Sequence, residues 1–125
     1  MNLFCWLLGC TLSGPAVVHD GDTLRVAGHN IRLHGLDAEE LNEPHGEMAR
    51  AVLVEIIAGR KVTCRHHGEK SYRRIVGTCE VDGIDLGAEM VKRGAAVDCA
   101  RYSNGRYRAF EPAGIRMVLI QKPYC

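Results

Sequence analysis

Between Pro44 and Gly59 the apolar residues Met48, Val52 and Ile56, with Leu53 and Ile57 beside them, recur at helical spacing. Glu47, Arg50 and Glu55 fall on the other faces, as an amphipathic helix requires. Proline suits the first helical position and glycine the one just past the last, so these two residues predict both ends of the helix. On either side the pattern shortens to strand-like runs. Residues 14–26 read as two strands around an Asp20-Gly21-Asp22 turn, because Asp-Gly is a hairpin signal. Residues 30–36 form a third strand, and residues 61–66 and 74–81 a fourth and fifth, the last two joined by a polar loop.

After a turn at Asp82-Gly83, a short helix is capped by Asp85 and stopped at Gly94. A turn at Asn104-Gly105 and a helical segment at 107–111, ended by Pro112, follow. Residues 115–125 show no assignable pattern. The expected fold is mainly β with helices (α+β): a small, partly closed antiparallel barrel of five strands, with one helix after the third strand and a helical carboxyl-terminal part. That is the inventory of the oligonucleotide-binding barrel. Fold class alone does not assign function.

The chain has 125 residues, enough for one core, and its 25% charged and 46% hydrophobic residues are ordinary for a globular domain. No uncharged apolar run approaches the roughly 18 residues of a membrane span. A net charge of +1 gives no argument of its own for a nucleic-acid partner. Its distribution says more. Residues 37–47 hold five acids and no Lys or Arg, whereas residues 60–74 hold six basic residues and one acid. Two solvated surfaces of opposite sign would look like this, and so would a cation site beside a phosphate site.

The first charged side chain is Asp20. Residues 1–15 resemble an export leader, with an apolar stretch at Leu3–Leu8 followed by small residues, although no Lys or Arg precedes it. Leu7–Cys10, "LLGC", also resembles a lipoprotein processing box that would anchor the chain through Cys10, and a buried first strand is the plain alternative. The expectation is an exported protein, periplasmic or secreted, whose domain spans residues 16–125.

Cysteine usage agrees with export. Setting aside the two cysteines of the leader-like segment, Cys64, Cys79, Cys99 and Cys125 allow three pairings. Cys64 shares a strand face with Val62, and Cys79 with Ile75, Gly77 and Val81. If those strands pair, Cys64–Cys79 can bridge and Cys99–Cys125 remains to tie the tail; free buried thiols are the alternative.

The chemistry gathers in "IRLHGLDAEE", residues 31–40, where a strand carries Arg32 and ends in Asp37, Glu39 and Glu40. Asp22 closes the first hairpin. Two carboxylates at neighbouring strand ends repel unless a cation lies between them, and oxygen ligands select a hard cation such as Ca²⁺ or Mg²⁺. The six histidines show no zinc-ligand spacing. Arg32 alternates away from Ile31 and Leu33, and Arg74 starts the strand after the basic loop. Two guanidinium forks suit a phosphate. With a spare carboxylate to position or deprotonate water, the set suffices for phosphodiester hydrolysis.

Taken together, "VVHDGDTLRV", "IRLHGLDAEE" and "YRRIVGTCEVDGIDLGAEMVKRGAA" resemble the staphylococcal-nuclease-like (thermonuclease) family over about residues 17–107. The resemblance implies an oligonucleotide-binding-type barrel and a calcium-dependent nuclease cutting DNA and RNA with little sequence preference, leaving 3′-phosphate ends. By position it implies calcium binding by Asp22, Asp37 and the Ala38 main-chain carbonyl, phosphate binding by Arg32 and Arg74, and Glu40 as general base. Tyr72 and Tyr102 fall where such enzymes have tyrosines near the nucleotide. The chain departs from the pattern at Ala38, often Thr in relatives, at Glu39, often Pro, at Arg73, often Gly, and at Pro112, where relatives often continue a helix. Glu39 could compete with Glu40 or bind a second cation.

Single-stranded DNA or RNA is the expected substrate, with no obligatory protein partner and a monomeric chain. Two other classes share the residues: a non-catalytic nucleic-acid-binding module, and an anchored surface domain in which calcium serves stability alone.

Overall fold

The computed structural model describes residues 11–71 and 73–125. It is a mixed α+β domain. The strands are β1 (Thr11–Gly14), β2 (Ala16–Asp20), β3 (Thr23–Val26), β4 (His29–Leu33), β5 (Leu36–Asp37), β6 (Val62–Ser71), β7 (Arg74–Val81), β8 (Ile84–Asp85) and β9 (Val97–Asp98). The helices are α1 (Gly46–Ile57), α2 (Leu86–Lys92) and the single turn α3 (Ala100–Ser103), followed by 3₁₀ turns at Arg108–Phe110 and Ile115–Met117.

The main sheet runs in the order β1-β6-β7-β4-β3-β2, β8 adds to β7, and β5 pairs with β9 in a separate two-stranded ribbon. The outermost strands, β1 and β2, are consecutive in the chain with only Pro15 between them. The sheet must therefore curl until one segment serves both its margins. Among the described residues no ladder closes it into a cylinder.

Several expectations change in detail. β4 and β7 pair in parallel, Ile31 opposite Ile75 and Leu33 opposite Gly77, so the sheet is mixed where an antiparallel one was expected. Helix α1 starts at Gly46, two residues after Pro44. Its far end is as expected, with Ala58 in the left-handed region (φ 49°) and Gly59 beyond it (φ 71°). The carboxyl-terminal part contributes one four-residue helix and two 3₁₀ turns, less helix than the sequence suggested. Strand β1, which sequence grouped with the leader-like segment, pairs with β6 in the sheet. Residues 1–10, with Cys10, lie outside the described residues.

The core lies between the curled sheet and the two longer helices. Leu24, Val26, Ile31 and Leu33 face inward from the β3–β4 hairpin, against Leu53, Ile56 and Ile57 of α1 and Leu86, Met90 and Val91 of α2. Complete burial of each such side chain stabilises by roughly 1.5–3 kcal/mol. Asp85 caps α2, accepting from the N–H groups of Gly87 (2.8 Å) and Ala88 (3.3 Å), as expected of it. Its other oxygen accepts from the buried Tyr107 hydroxyl at 3.0 Å and from Arg106 at 2.9 Å.

Cys64 and Cys79 face each other across β6 and β7 and are bridged. Cys99, at the start of α3, is bridged to Cys125. No helix among the described residues is long and apolar enough to cross a membrane.

Candidate active site

The hairpin of β2 and β3 sets the first half of the site. Asp20 ends β2, Asp22 lies in the turn, and Thr23 opens β3 directly opposite Arg32 of β4. All three turn-side residues are buried. The Asp22 carbonyl accepts the Leu33 N–H at 2.8 Å, locking the turn onto the end of β4. Gly21 lets the turn pack against Ala38 and Ala49, since a Cβ there would stand 2.7 Å from theirs. The second half comes from β5, whose pairing with β9 delivers Asp37 to the same end of the sheet.

Arg32 sits between the two aspartates. Its Nη1 lies 3.3 Å from Asp22 Oδ2 and its Nη2 3.9 Å from Asp37 Oδ1. Nη1 also donates to the Leu33 carbonyl at 2.9 Å, which fixes the guanidinium plane. Asp22 Oδ2 accepts the Ala38 N–H at 3.0 Å, and Asp22 Oδ1 the Thr23 hydroxyl at 3.3 Å. Thr23 links the arginines, for its hydroxyl accepts from Arg74 Nη1 at 3.1 Å.

Charge in this cluster is unbalanced. Asp20, Asp22 and Asp37 are each at most 4% exposed, and Arg32 lies within 4 Å of Asp22 and Asp37. Burial pushes the Asp22 carboxyl above its ordinary value, with Arg32 opposing and Asp20 adding to the rise. Asp37 is likewise raised by burial, although the N–H of Lys122 pulls the other way. Buried carboxylates raised in this way favour further positive charge beside them.

Among the described residues no three His, Cys, Asp or Glu side chains form a set that could hold a metal ion. Asp20 Oδ1 is turned to the Asp22 N–H at 3.1 Å. A cation here would rest on Asp22, Asp37 and further oxygens from main chain or water. An all-oxygen donor set with surplus negative charge fits a hard divalent cation.

The Glu39–His45 turn separates two neighbouring acids. Glu39 is buried and accepts from the N–H of His45, the Nδ1 of His45 and the N–H of Ile120, each at 2.9 Å. Burial alone would raise its carboxyl, but these donors hold it below the ordinary glutamate value. Both Glu39 oxygens are thus engaged by donors of the turn and the tail. Glu40 is exposed, and its N–H donates to Glu43 Oε1 at 2.6 Å. Gly46 makes the turn possible, since a Cβ there would fall 1.8 Å from the Glu40 carbonyl oxygen.

The structure thus brings Asp22, Arg32, Asp37 and Ala38 together and joins Arg74 to them through Thr23. Tyr72 lies outside the described residues. Tyr102 stands on α3, half exposed with the Arg101 guanidinium over its ring, and no hydrogen bond among the described residues joins it to Arg32 or the aspartates. Sequence reasoning passed over Asp20 and Thr23, although both flank the hairpin signal itself. It also passed over the tail. The Lys122 N–H donates to Asp37 Oδ2 at 3.1 Å, and Tyr124 lies close enough to Arg32 and Asp37 for their charges to act on its hydroxyl, which burial raises above its ordinary value. Nothing in the pattern of residues 115–125 announces this.

Comparison with known proteins agrees with this geometry. The family profile described as "Staphylococcal nuclease homologue" matches residues 30–113. The chain is 35% identical over 106 residues to the succinoglycan biosynthesis protein ExoI of Rhizobium meliloti (strain 1021), covering 75% of this chain and 56% of that protein. It is 32% identical over 76 residues to the probable staphylococcal-like nuclease CAN1 of Oryza sativa subsp. japonica, covering 61% and 23%. A protein of Escherichia coli described as an uncharacterized endonuclease is 33% identical over 101 residues, covering 75% and 66%. The chain therefore spans between about a quarter and two thirds of the length of these relatives. A profile match over most of the chain, on a fold that gathers the acids and arginines of its motifs at one end of a curled sheet, places this protein in the staphylococcal nuclease homologue family.

Proposed function

We propose that the domain is a calcium-dependent nuclease that hydrolyses phosphodiester bonds in single-stranded DNA and RNA with low sequence specificity, leaving 3′-phosphate ends. The observation that carries this reading is the Asp22–Arg32–Asp37 cluster, two buried carboxylates on either side of one guanidinium. We read the curled sheet as a small oligonucleotide-binding-type barrel that presents this cluster at its rim.

In this reading Asp22, Asp37 and the Ala38 carbonyl hold the calcium ion. When bound, that ion supplies positive charge against the phosphate. Arg32, its plane fixed by the Leu33 carbonyl, and Arg74, steadied by Thr23, grip the non-bridging phosphate oxygens. They meet the growing negative charge without reorganising, which is where most of the acceleration in such reactions arises. Glu40 takes a proton from water as the water oxygen bonds to phosphorus. The bond from phosphorus to the 5′-oxygen breaks, that oxygen takes a proton from solvent, and the phosphate stays on the 3′ side. Tyr72 and Tyr102 are assigned to stacking or hydrogen bonding with the nucleotide.

The two bridges suit an oxidising compartment, and with the leader-like segment they support export. The domain is assigned as a monomer with no obligatory protein partner.

The test is cleavage of single-stranded DNA and of RNA, with calcium or with a chelator, beside Glu40→Gln. Calcium-dependent cleavage is expected, with turnover of the variant lower by about 10²- to 10⁴-fold while its calcium binding stays nearly intact. Absence of cleavage by the folded wild-type protein, or full activity in the variant, would overturn the reading or the placement of the base respectively.

A further inference from the structure

After the 3₁₀ turn at Ile115–Met117, residues 119–125 run back across the site with little regular structure. Two of their contacts fall on the Glu39–His45 turn. The Ile120 N–H donates to Glu39 Oε2 at 2.9 Å, and Lys122 Nζ to Glu43 Oε1 at 2.7 Å. A third, from the Lys122 N–H to Asp37 Oδ2 at 3.1 Å, falls just before that turn. Within the turn, Glu43 Oε1 also accepts the N–H of Glu40 at 2.6 Å. One carboxylate oxygen therefore ties Glu40 to the tail.

The tail is itself held from the far side. Cys125 is bridged to Cys99, the Gln121 side-chain amide donates to the Asp98 carbonyl at 2.9 Å, and Arg116 pairs with Glu111 at 2.7 Å. The Lys122–Glu43 pair is mostly shielded, its side chains 18% and 23% exposed. A charge-assisted hydrogen bond in that setting holds geometry far better than a surface ion pair does.

We propose that residues 119–125 are a clamp on the turn that carries Glu40, with Lys122 the positioning residue acting through Glu43 and the Cys99–Cys125 bridge its tether. The inference rests on Glu40 being the base. The turn lies outside any helix or strand, and Glu40 itself is exposed. A base displaced by an ångström loses much of its effect, so turnover is coupled to an oxidised tether. Opening Cys99–Cys125 frees the clamp and its contact with Asp37, while the Asp22 turn stays locked to β4 by the Leu33 N–H.

The experiment compares the full chain with Lys122→Met, Lys122→Arg and the Cys99→Ser/Cys125→Ser pair. It measures kcat and KM on single-stranded DNA with calcium, and hydrogen exchange of the Glu40 amide by NMR without metal or substrate. Lys122→Met is expected to lower kcat about ten- to a hundredfold with little change in KM, and Lys122→Arg to recover most of it. The Glu40 amide is expected to exchange faster in Lys122→Met and in the serine pair, at the wild-type rate in Lys122→Arg. Unchanged exchange in Lys122→Met overturns the clamp, whether or not the tether variant folds. Faster exchange with unchanged or raised turnover also overturns it, because the tail would then be irrelevant to the base or an obstruction. If the wild-type protein does not cut at all, the nuclease reading fails, and the exchange rates still decide whether the tail clamps the turn.

Discussion

At the scale of single residues, the site sets catalysis against stability. Asp37 is buried, and its carboxyl is raised above its ordinary value because the ionised form is poorly solvated there. A raised carboxyl costs stability at neutral pH and returns it as the pH falls through the raised value, since the folded state holds the proton more tightly. Asp37→Asn removes that cost and keeps an acceptor for the Lys122 N–H. It is expected to raise thermal stability in the absence of calcium by roughly 0.5–2 kcal/mol while abolishing calcium-dependent cleavage, as thermal melts and an activity assay would show. Glu39 runs the other way. Its carboxyl is lowered, so its contribution is complete above the ordinary value of about 4.5 and is lost as the pH falls through the lowered one. Glu39→Gln is expected to cost about 1.5–3 kcal/mol at pH 7 and to flatten the acid limb of the stability profile below pH 4.5, measured by denaturant melts. The resemblance separates the neighbours Glu39 and Glu40 by position alone, and the structure adds that Glu39 is buried and Glu40 exposed.

At the scale of elements, local signals were legible and distant pairings were not. Helix α1 declared itself through its apolar stripe and Gly59, the β2–β3 hairpin through Asp-Gly, and α2 through its Asp85 cap, because each is decided by residues within a few positions of one another. The parallel pairing of β4 with β7 joins segments more than forty residues apart, and no local pattern encodes its direction. Residues 119–125 were illegible for a different reason. Two of their contacts to the site are made by main-chain N–H groups, of Ile120 and Lys122, which every residue except proline possesses. The end of α1 carries a correctable strain. Ala58 holds a left-handed conformation that costs an L-residue about 1–2 kcal/mol, so Ala58→Gly is expected to stabilise the domain by part of that amount in a urea melt, with activity unchanged.

At the scale of the whole molecule, two covalent ties among the described residues brace a small core. Cys64 and Cys79 are 15 residues apart, and opening that bridge is expected to cost about 3 kcal/mol through freedom regained by the unfolded chain. Comparison of Cys64→Ala/Cys79→Ala with the parent by denaturant melts would show this, with cleavage retained below the new midpoint. The curled sheet has a further consequence, for behaviour in concentrated solution. A long flat margin would template the addition of a strand from another molecule. Here the margins are four and five residues long, they belong to one segment, and Pro15, without an N–H to offer, interrupts that segment where it changes sides. Along β1 and β2 a neighbouring chain finds little to dock on, and self-association through those two strands is disfavoured.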